Sequence, residues 1–213
     1  MVNQKNQTAT QISSGDYALK KLLDIPLALV GVVLALPLWL VFSLAIKLGD
    51  GGPIFFTQNR WGKNKRIIRA YKFRTMVPNA IERFGHLQAQ ERDTRITRVG
   101  RLLRATSLDE SPQLLNILKG EMSWVGPRVI AINEAQTHGK DKDLPDDSIP
   151  GFELRSKLIP GLTGVAQIYA PRNVSRRNKF RYDLIYFRKQ SLSLDVRLIF
   201  LSVWITLRAK WQV

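Results

Sequence analysis

Hydrophobic and polar positions are distributed very unevenly along the chain. From Ile25 to Ile46, "IPLALVGVVLALPLWLVFSLAI", there is no charged residue. As a helix rising ~1.5 Å per residue, such a run about matches a ~30 Å hydrocarbon layer. The pattern therefore predicts a membrane helix over residues 19–48 rather than a core helix. The run is longer than the apolar centre of a signal peptide and no small-residue cleavage site follows it, so the helix is expected to stay on the mature protein. Pro37 removes a hydrogen bond near its middle, which predicts a bend. Lys20 and Lys21 precede the run, and Lys47 and the basic stretch from Arg60 to Arg74 follow it, so positive charge flanks both ends. Two arrangements fit: a re-entrant hairpin, and a single span, since spanning helices tolerate proline. In both, the basic C-terminal portion faces the cytoplasm.

Residues 1–18 are polar without an apolar period and read as a flexible tail. After the breaker cluster "GDGGP", two β-rich runs in "IFFTQNRWGKNKRIIRAYKF" flank a turn-prone "WGKN", which predicts a hairpin. Spacing is helical from Thr94 to Leu118, and "DDSIPG" reads as a loop before a short extended segment, "GVAQIY". Near the C-terminus, "DVRLIFLSVWITLRAKW" contains an uncharged run too short to span, closed by Arg208 and Lys210 and carrying Trp204 and Trp211. It predicts an interfacial amphipathic helix, with an ordinary buried helix as the alternative. No internal repeat occurs. The expected fold class is α+β and mostly helical, with residues 49–213 forming a small domain against the bilayer.

Composition narrows the chemistry. The 213 residues carry a formal net charge of +16, a field that favours nucleic acid, an anionic leaflet or phosphorylated substrates. There is no cysteine, which excludes disulfides, thiolate metal sites and a cysteine nucleophile. With His86 and His138 as its only histidines, the chain is a poor candidate for a histidine zinc site. Neither a Walker loop, a zinc finger nor an RNP-like aromatic motif accompanies the charge, and a membrane segment suits DNA binding badly, so nucleic acid is not expected as a partner.

Arg95, Arg98, Arg101 and Arg104 recur at every third residue, along one side of a helix if "RITRVGRLLR" is helical. Such a row either gathers phosphate or forms a solvated or lipid-headgroup face. Arg128 follows a glycine-proline turn in "WVGPRV", where a restrained loop suits a fork of phosphate donors. "APRNVSRRNKFR" adds a second basic cluster that includes Arg172. Into this setting "TSLDESPQL" sets Asp109 beside Glu110. Ser107-x-x-Glu110 matches a capping box, and Ser111-Pro112 an N-cap with proline first in the helix, so both acids could simply begin a helix. Adjacent carboxylates can also hold Mg²⁺ against a diphosphate, or one can attack phosphorus while the other positions the metal or moves a proton.

Taken in order, "KKLLDIPLALV", "GGPIFFTQNRWG", "YKFRTM", "DTRITRVGRLLRATSLDESPQLLNILKGEMSWVGPR", "IPGLTGVAQI" and "RYDLIYFRKQSLSLDVRLI" resemble the bacterial sugar transferases, also called monotopic phosphoglycosyl transferases or polyprenol-phosphate hexose-1-phosphate transferases, over roughly residues 18 to 208. The resemblance implies a Mg²⁺-dependent transfer of a sugar 1-phosphate from a UDP-sugar to undecaprenyl phosphate, with release of UMP, as the first membrane step of a surface polysaccharide or glycoconjugate pathway. It implies that Asp109 attacks the diphosphate and carries a covalent phosphosugar, with Glu110 as metal ligand or base. Asp109 and Glu110 would both hold the metal. Arg104 and Arg128 would hold phosphate, Asp183 of "YDLIY" would be a further acidic site residue, and Lys72, Arg74 and Arg172 would line the substrate pocket. It also implies a re-entrant membrane helix, a catalytic domain on the cytoplasmic face of the bacterial inner membrane, contact with inner-membrane lipids and possible homo-oligomers. Val129 stands where the family usually has a second proline after "GPR", which predicts a less rigid loop around Arg128. A non-catalytic membrane scaffold of a polysaccharide assembly complex is the alternative of another class, and UMP release from any UDP-sugar would exclude it.

Overall fold

The apolar run is helical. In the computed structural model, which describes residues 14–85, 93–132, 144–171 and 174–208, α1 extends from Ser14 to Asp50 without a break, through Pro26 and Pro37. It takes up residues 14–18 of the expected tail and ends two residues beyond the expected boundary. Among the described residues it is the one helix long and apolar enough to cross a membrane. Its sides differ sharply. Ala28, Trp39 and Ile46 are buried against the rest of the chain, whereas Leu34, Leu40 and Leu48 are more than two-thirds exposed, an apolar surface that water would not stabilise.

The contact is fastened along the helix. Trp124 N donates to Asp24 at 3.1 Å, and Trp39 Nε1 donates to Ser111 Oγ at 2.9 Å. Lys20 pairs with Asp195 and donates to the Tyr186 hydroxyl at 3.1 Å. At the other end, Arg74 Nη1 meets Asp50 at 2.7 Å. Gly31 permits a close approach, since a Cβ there would lie 3.2 Å from the Trp124 ring.

The expected hairpin forms. Strands β1 (Phe55–Trp61) and β2 (Ile67–Phe73) pair antiparallel from Phe55↔Phe73 to Trp61↔Ile67, and the turn between them places Asn64 at φ 54, a left-handed conformation that asparagine tolerates. After α2 (Ala80–Phe84) comes α3 (Arg98–Thr106), capped by Thr97, whose side chain accepts from Gly100 N. The helical spacing of 94–118 is not one helix. Ser107 turns left-handed at φ 55, a 3₁₀ segment runs over Leu108–Gln113, and α4 covers Leu114–Leu118. Ser107 makes no side-chain cap to this segment, and Ser111 donates to the Leu108 carbonyl, so neither predicted cap is formed.

Strand β3 (Ser123–Val125) leads to β4 (Ile130–Ala131), which joins β1 in a sheet of order β2-β1-β4. Beyond α5 (Phe152–Ser156), β5 (Gly161–Thr163) pairs in parallel with β3. Gly126 and Gly164 let these segments touch, since a Cβ on Gly164 would fall 2.1 Å from the Gly126 carbonyl oxygen. The predicted extended segment "GVAQIY" is instead α6 (Val165–Tyr169). The extended residues lie just ahead of it, where pairing with β3 outweighs local β-propensity. The chain closes with α7 (Arg176–Lys189) and α8 (Leu192–Leu207). Only Asp195 and Leu198 of α8 are buried, while Phe200, Trp204 and Leu207 are more than half exposed, so it is no ordinary buried helix; Trp211 lies outside the described residues. One core joins α1 to Phe73, Leu103, Leu114 and Ile117, and a second gathers Val125, Leu158, Tyr186 and Leu198. The observed class is α+β, mostly helical.

Candidate active site

The turn at Ser107 makes the site possible. It ends α3 and starts the 3₁₀ segment so that Asp109 and Glu110 point inward against β2 rather than capping a helix. Both border a cavity of ≈ 1040 Å³ that Lys72, Arg104, Arg128 and Asp183 also line. The same cavity is bordered by Leu34 and Leu38 of α1 and by Val203 and Leu207 of α8. Acidic residues, cations and the apolar faces of the two candidate lipid-contacting helices thus share one space.

The two carboxylates have different surroundings. Glu110 Oε1 accepts from Lys72 Nζ at 2.6 Å and from Arg128 Nη2 at 2.7 Å. Burial alone would push the Glu110 carboxyl up, but Arg128 and Lys72 together outweigh it and hold the group well below the usual carboxylate range. Asp109 is buried and its carboxylate has no hydrogen-bond or ion-pair partner among the described residues. Burial pushes its pKa up, the Lys72 charge opposes this, and ionised Glu110 pushes it further up. Environments that separate two adjacent carboxyls in this way give them separate roles. Glu110 is a fixed anion clamped by cations, and Asp109 is a carboxylate with free lone pairs.

Lys72 on β2 is partly buried, and its loss of contact with water depresses its ammonium pKa against the opposing pull of Glu110. Arg104 in the last turn of α3 donates through Nε to Thr75 Oγ1 at 2.8 Å, which aims its guanidinium toward the acids. Arg128 follows β3. Its backbone bridges to Gly161, and buried Val129 next to it accepts from Arg60 Nη1 at 2.8 Å. The loop expected to be loose for want of a second proline is held by hydrogen bonds instead.

Other predicted residues sit differently. Arg74 borders the cavity, yet its guanidinium is taken up by Asp50 and the Pro53 and Met76 carbonyls, so it fastens the end of α1. Asp183 is paired with buried Arg155 at 2.8 Å. Arg172 lies outside the described residues. The arginine row does not act as one face: Arg95 precedes α3 and pairs with Asp93 at 2.6 Å, Arg98 and Arg101 are exposed, and a three-residue step drifts around a helix with 3.6 residues per turn. Arg155 and Arg60 were missed, because no spacing separates them from the other Lys and Arg residues among 33.

The donor set also bears on a metal. No third carboxylate or histidine joins the pair among the described residues. Asp109 and the second oxygen of Glu110 suit Mg²⁺, which commonly takes one or two carboxylates and completes its shell with phosphate oxygens and water.

A model of the bacterial sugar transferase family matches residues 15–209. The chain belongs to that family. Similar members include an exopolysaccharide production protein of Rhizobium leguminosarum bv. phaseoli, 39% identical over 193 residues covering 88% of this chain and 94% of the relative. A UDP-N-acetylgalactosamine-undecaprenyl-phosphate N-acetylgalactosaminephosphotransferase of Aeromonas hydrophila is 39% identical over 203 residues, 93% of this chain and 46% of that protein. A UDP-glucose:undecaprenyl-phosphate glucose-1-phosphate transferase of Klebsiella pneumoniae is 39% identical over 191 residues, 87% of this chain and 39% of that one. The chain therefore spans nearly all of the rhizobial exopolysaccharide production protein but less than half of the other two. The acids, Lys72, Arg104 and Arg128 all border one cavity.

Proposed function

We propose that the chain is a phosphoglycosyl transferase that moves a sugar 1-phosphate from a UDP-sugar to undecaprenyl phosphate at the cytoplasmic face of the inner membrane. The observation that carries this reading is the buried Asp109 carboxylate, without a hydrogen-bond or ion-pair partner among the described residues, beside a Glu110 held by two cations. A carboxylate oxygen of Asp109 attacks the phosphorus that bears the sugar. The bond from that phosphorus to the bridging oxygen breaks, and its electron pair leaves with UMP. An oxygen of undecaprenyl phosphate then attacks the same phosphorus and displaces Asp109, which regains its charge. Each phosphate enters the same cationic pocket in turn, so ping-pong kinetics follow.

Lys72, Arg104 and Arg128 offset the repulsion between the anionic substrates and the acids. Mg²⁺, held by Asp109 and Glu110, would add charge neutralisation at the diphosphate. The depressed pKa of Glu110 suits a permanent anion and metal ligand better than a proton carrier. A membrane-bound acceptor is supported by α1 and α8, whose exposed apolar residues border the cavity and would bring a lipid-anchored phosphate to a soluble nucleotide sugar.

The test is intact mass after incubation with a panel of UDP-sugars in Mg²⁺ without lipid, alongside UMP release with undecaprenyl phosphate. The wild type gains a phosphosugar from its preferred donor. Asp109→Asn gains none and loses turnover by about 10³-fold or more. Full turnover by Asp109→Asn would overturn the covalent route, and no UMP from any donor would overturn the transferase.

A further inference from the structure

We propose that Arg155 and Asp183 are positioning residues for Arg128, so that the acid at 183 acts through the arginine and does not touch the reacting atoms. This rests on the transferase reading, in which Arg128 holds phosphate. Both side chains are almost wholly enclosed, at 4% and 3% exposure. Arg155 Nε donates to Asp183 Oδ2 at 2.8 Å, and Nη2 of the same guanidinium donates to the backbone carbonyl of Arg128 at 2.5 Å. The guanidinium lies over the Phe180 ring, 4.8 Å from its centroid, and Phe180 and Asp183 stand three residues apart on α7.

One planar fork therefore spans three elements: it begins on α5, is gripped by α7, and ends on the loop after β3. On its other side that loop is held by Gly161, whose N–H donates to Pro127 O at 2.9 Å. With its backbone held from two sides, the Arg128 side chain is left 45% exposed to reach Glu110 and the cavity. A buried ion pair is a poor source of stability, because an apolar pair of similar volume often does as well. Its value here is geometric: guanidinium donors are fixed in direction, and removing them shifts the one arginine that follows the glycine-proline turn.

Four variants test this through UDP affinity, thermal stability and phosphosugar formation. Arg155→Lys keeps the buried charge but cannot bond Asp183 and the Arg128 carbonyl in one plane, so it is expected to keep its Tm and bind UDP about tenfold more weakly. Arg155→Met weakens UDP similarly. Arg155→Met with Asp183→Leu recovers thermal stability without recovering UDP affinity, and is no worse than Arg155→Met alone, as expected where two residues act as a unit. Asp183→Asn weakens UDP in step with its loss of phosphosugar formation. Wild-type UDP affinity in Arg155→Lys, or its return together with stability in the double variant, would make the pair merely structural and overturn the proposal. So would an Asp183→Asn chain that binds UDP normally yet forms no phosphosugar, since the acid would then act on the reaction itself. A wild type that bound no UDP at all would instead remove the transferase reading beneath it.

Discussion

Adjacent side chains on one turn receive opposite electrostatic treatment, and the difference rests on Lys72. Its ammonium bonds Glu110, and its charge is the largest influence opposing burial at Asp109. Asp109 must be ionised to attack, so the acid limb of activity follows its pKa, which lies above the ordinary carboxylate value. Replacing Lys72 with Met removes a cation that favours the charged form, and the Asp109 pKa must rise further. The expected result is a pH profile of donor kcat/KM whose acid limb moves to higher pH in Lys72→Met, measured as initial UMP release across a pH series. A limb that stayed in place would show that Asp109 does not control it. At this scale the sequence showed which residue types matter but not their pairing. Asp109 and Glu110 stood out as neighbours in a basic chain, whereas Lys72 lies 38 positions away from its partner acid. Arg74, two residues from Lys72 in the same motif, turned out to face Asp50, because β2 ends at Phe73 and Arg74 no longer follows the strand's alternation.

Among elements, the join between β2 and α3 sets how far Arg104 reaches. Gly100 in the first turn of α3 lies so close to the segment after β2 that a Cβ would fall 2.0 Å from the Thr75 carbonyl oxygen. The same residue's hydroxyl accepts from Arg104 Nε, so backbone contact and site residue share one partner. Gly100→Ala must push α3 away from Thr75, and we expect it to cost about 2–4 kcal/mol of stability and to lower turnover even where the chain is fully folded. Thermal unfolding and donor kinetics at a temperature well below Tm check this; wild-type values in both would mean that the approach is not tight. Elements with strong periodicity were legible: the long apolar helix, the hairpin around "WGKN" and the C-terminal helix all formed. What misled was local pattern without its partner. "TSLDESPQL" carries the letters of two caps, but packing against β2 turns Ser107 left-handed, and "GVAQIY" has strand-like residues although the pairing edge of β3 is already taken by Gly161–Thr163. Neither preference could be read without knowing what lay opposite.

For the molecule as a whole, the placement of α1 decides how a soluble donor and a lipid acceptor meet. Pro37 and the flanking lysines left two topologies open, and we propose the re-entrant one from the contacts at the helix ends. Lys20 near the start pairs with Asp195 of α8, and Asp50 at the end pairs with Arg74, the residue that follows β2. Both partners belong to the same body packed beside α1, which cannot be on both sides of a bilayer. A straight crossing would carry one of these charged pairs through ~30 Å of hydrocarbon, and leaving even one charge at its centre costs about 3 kcal/mol or more. A helix that dips into the leaflet and keeps both ends at the surface satisfies both pairs and leaves Leu34, Leu40 and Leu48 for lipid. The natural chain has no cysteine, so single cysteines report without background. Lys5→Cys and Gly49→Cys are each expected to react with an impermeant maleimide in inside-out membrane vesicles and to resist it in intact spheroplasts. Labelling of position 5 from outside, with position 49 protected, would establish a span and break the Lys20–Asp195 pair. Labelling of both from inside means that α1 returns to the face it entered, so that the domain, its cavity and the lipid phosphate all lie at one surface.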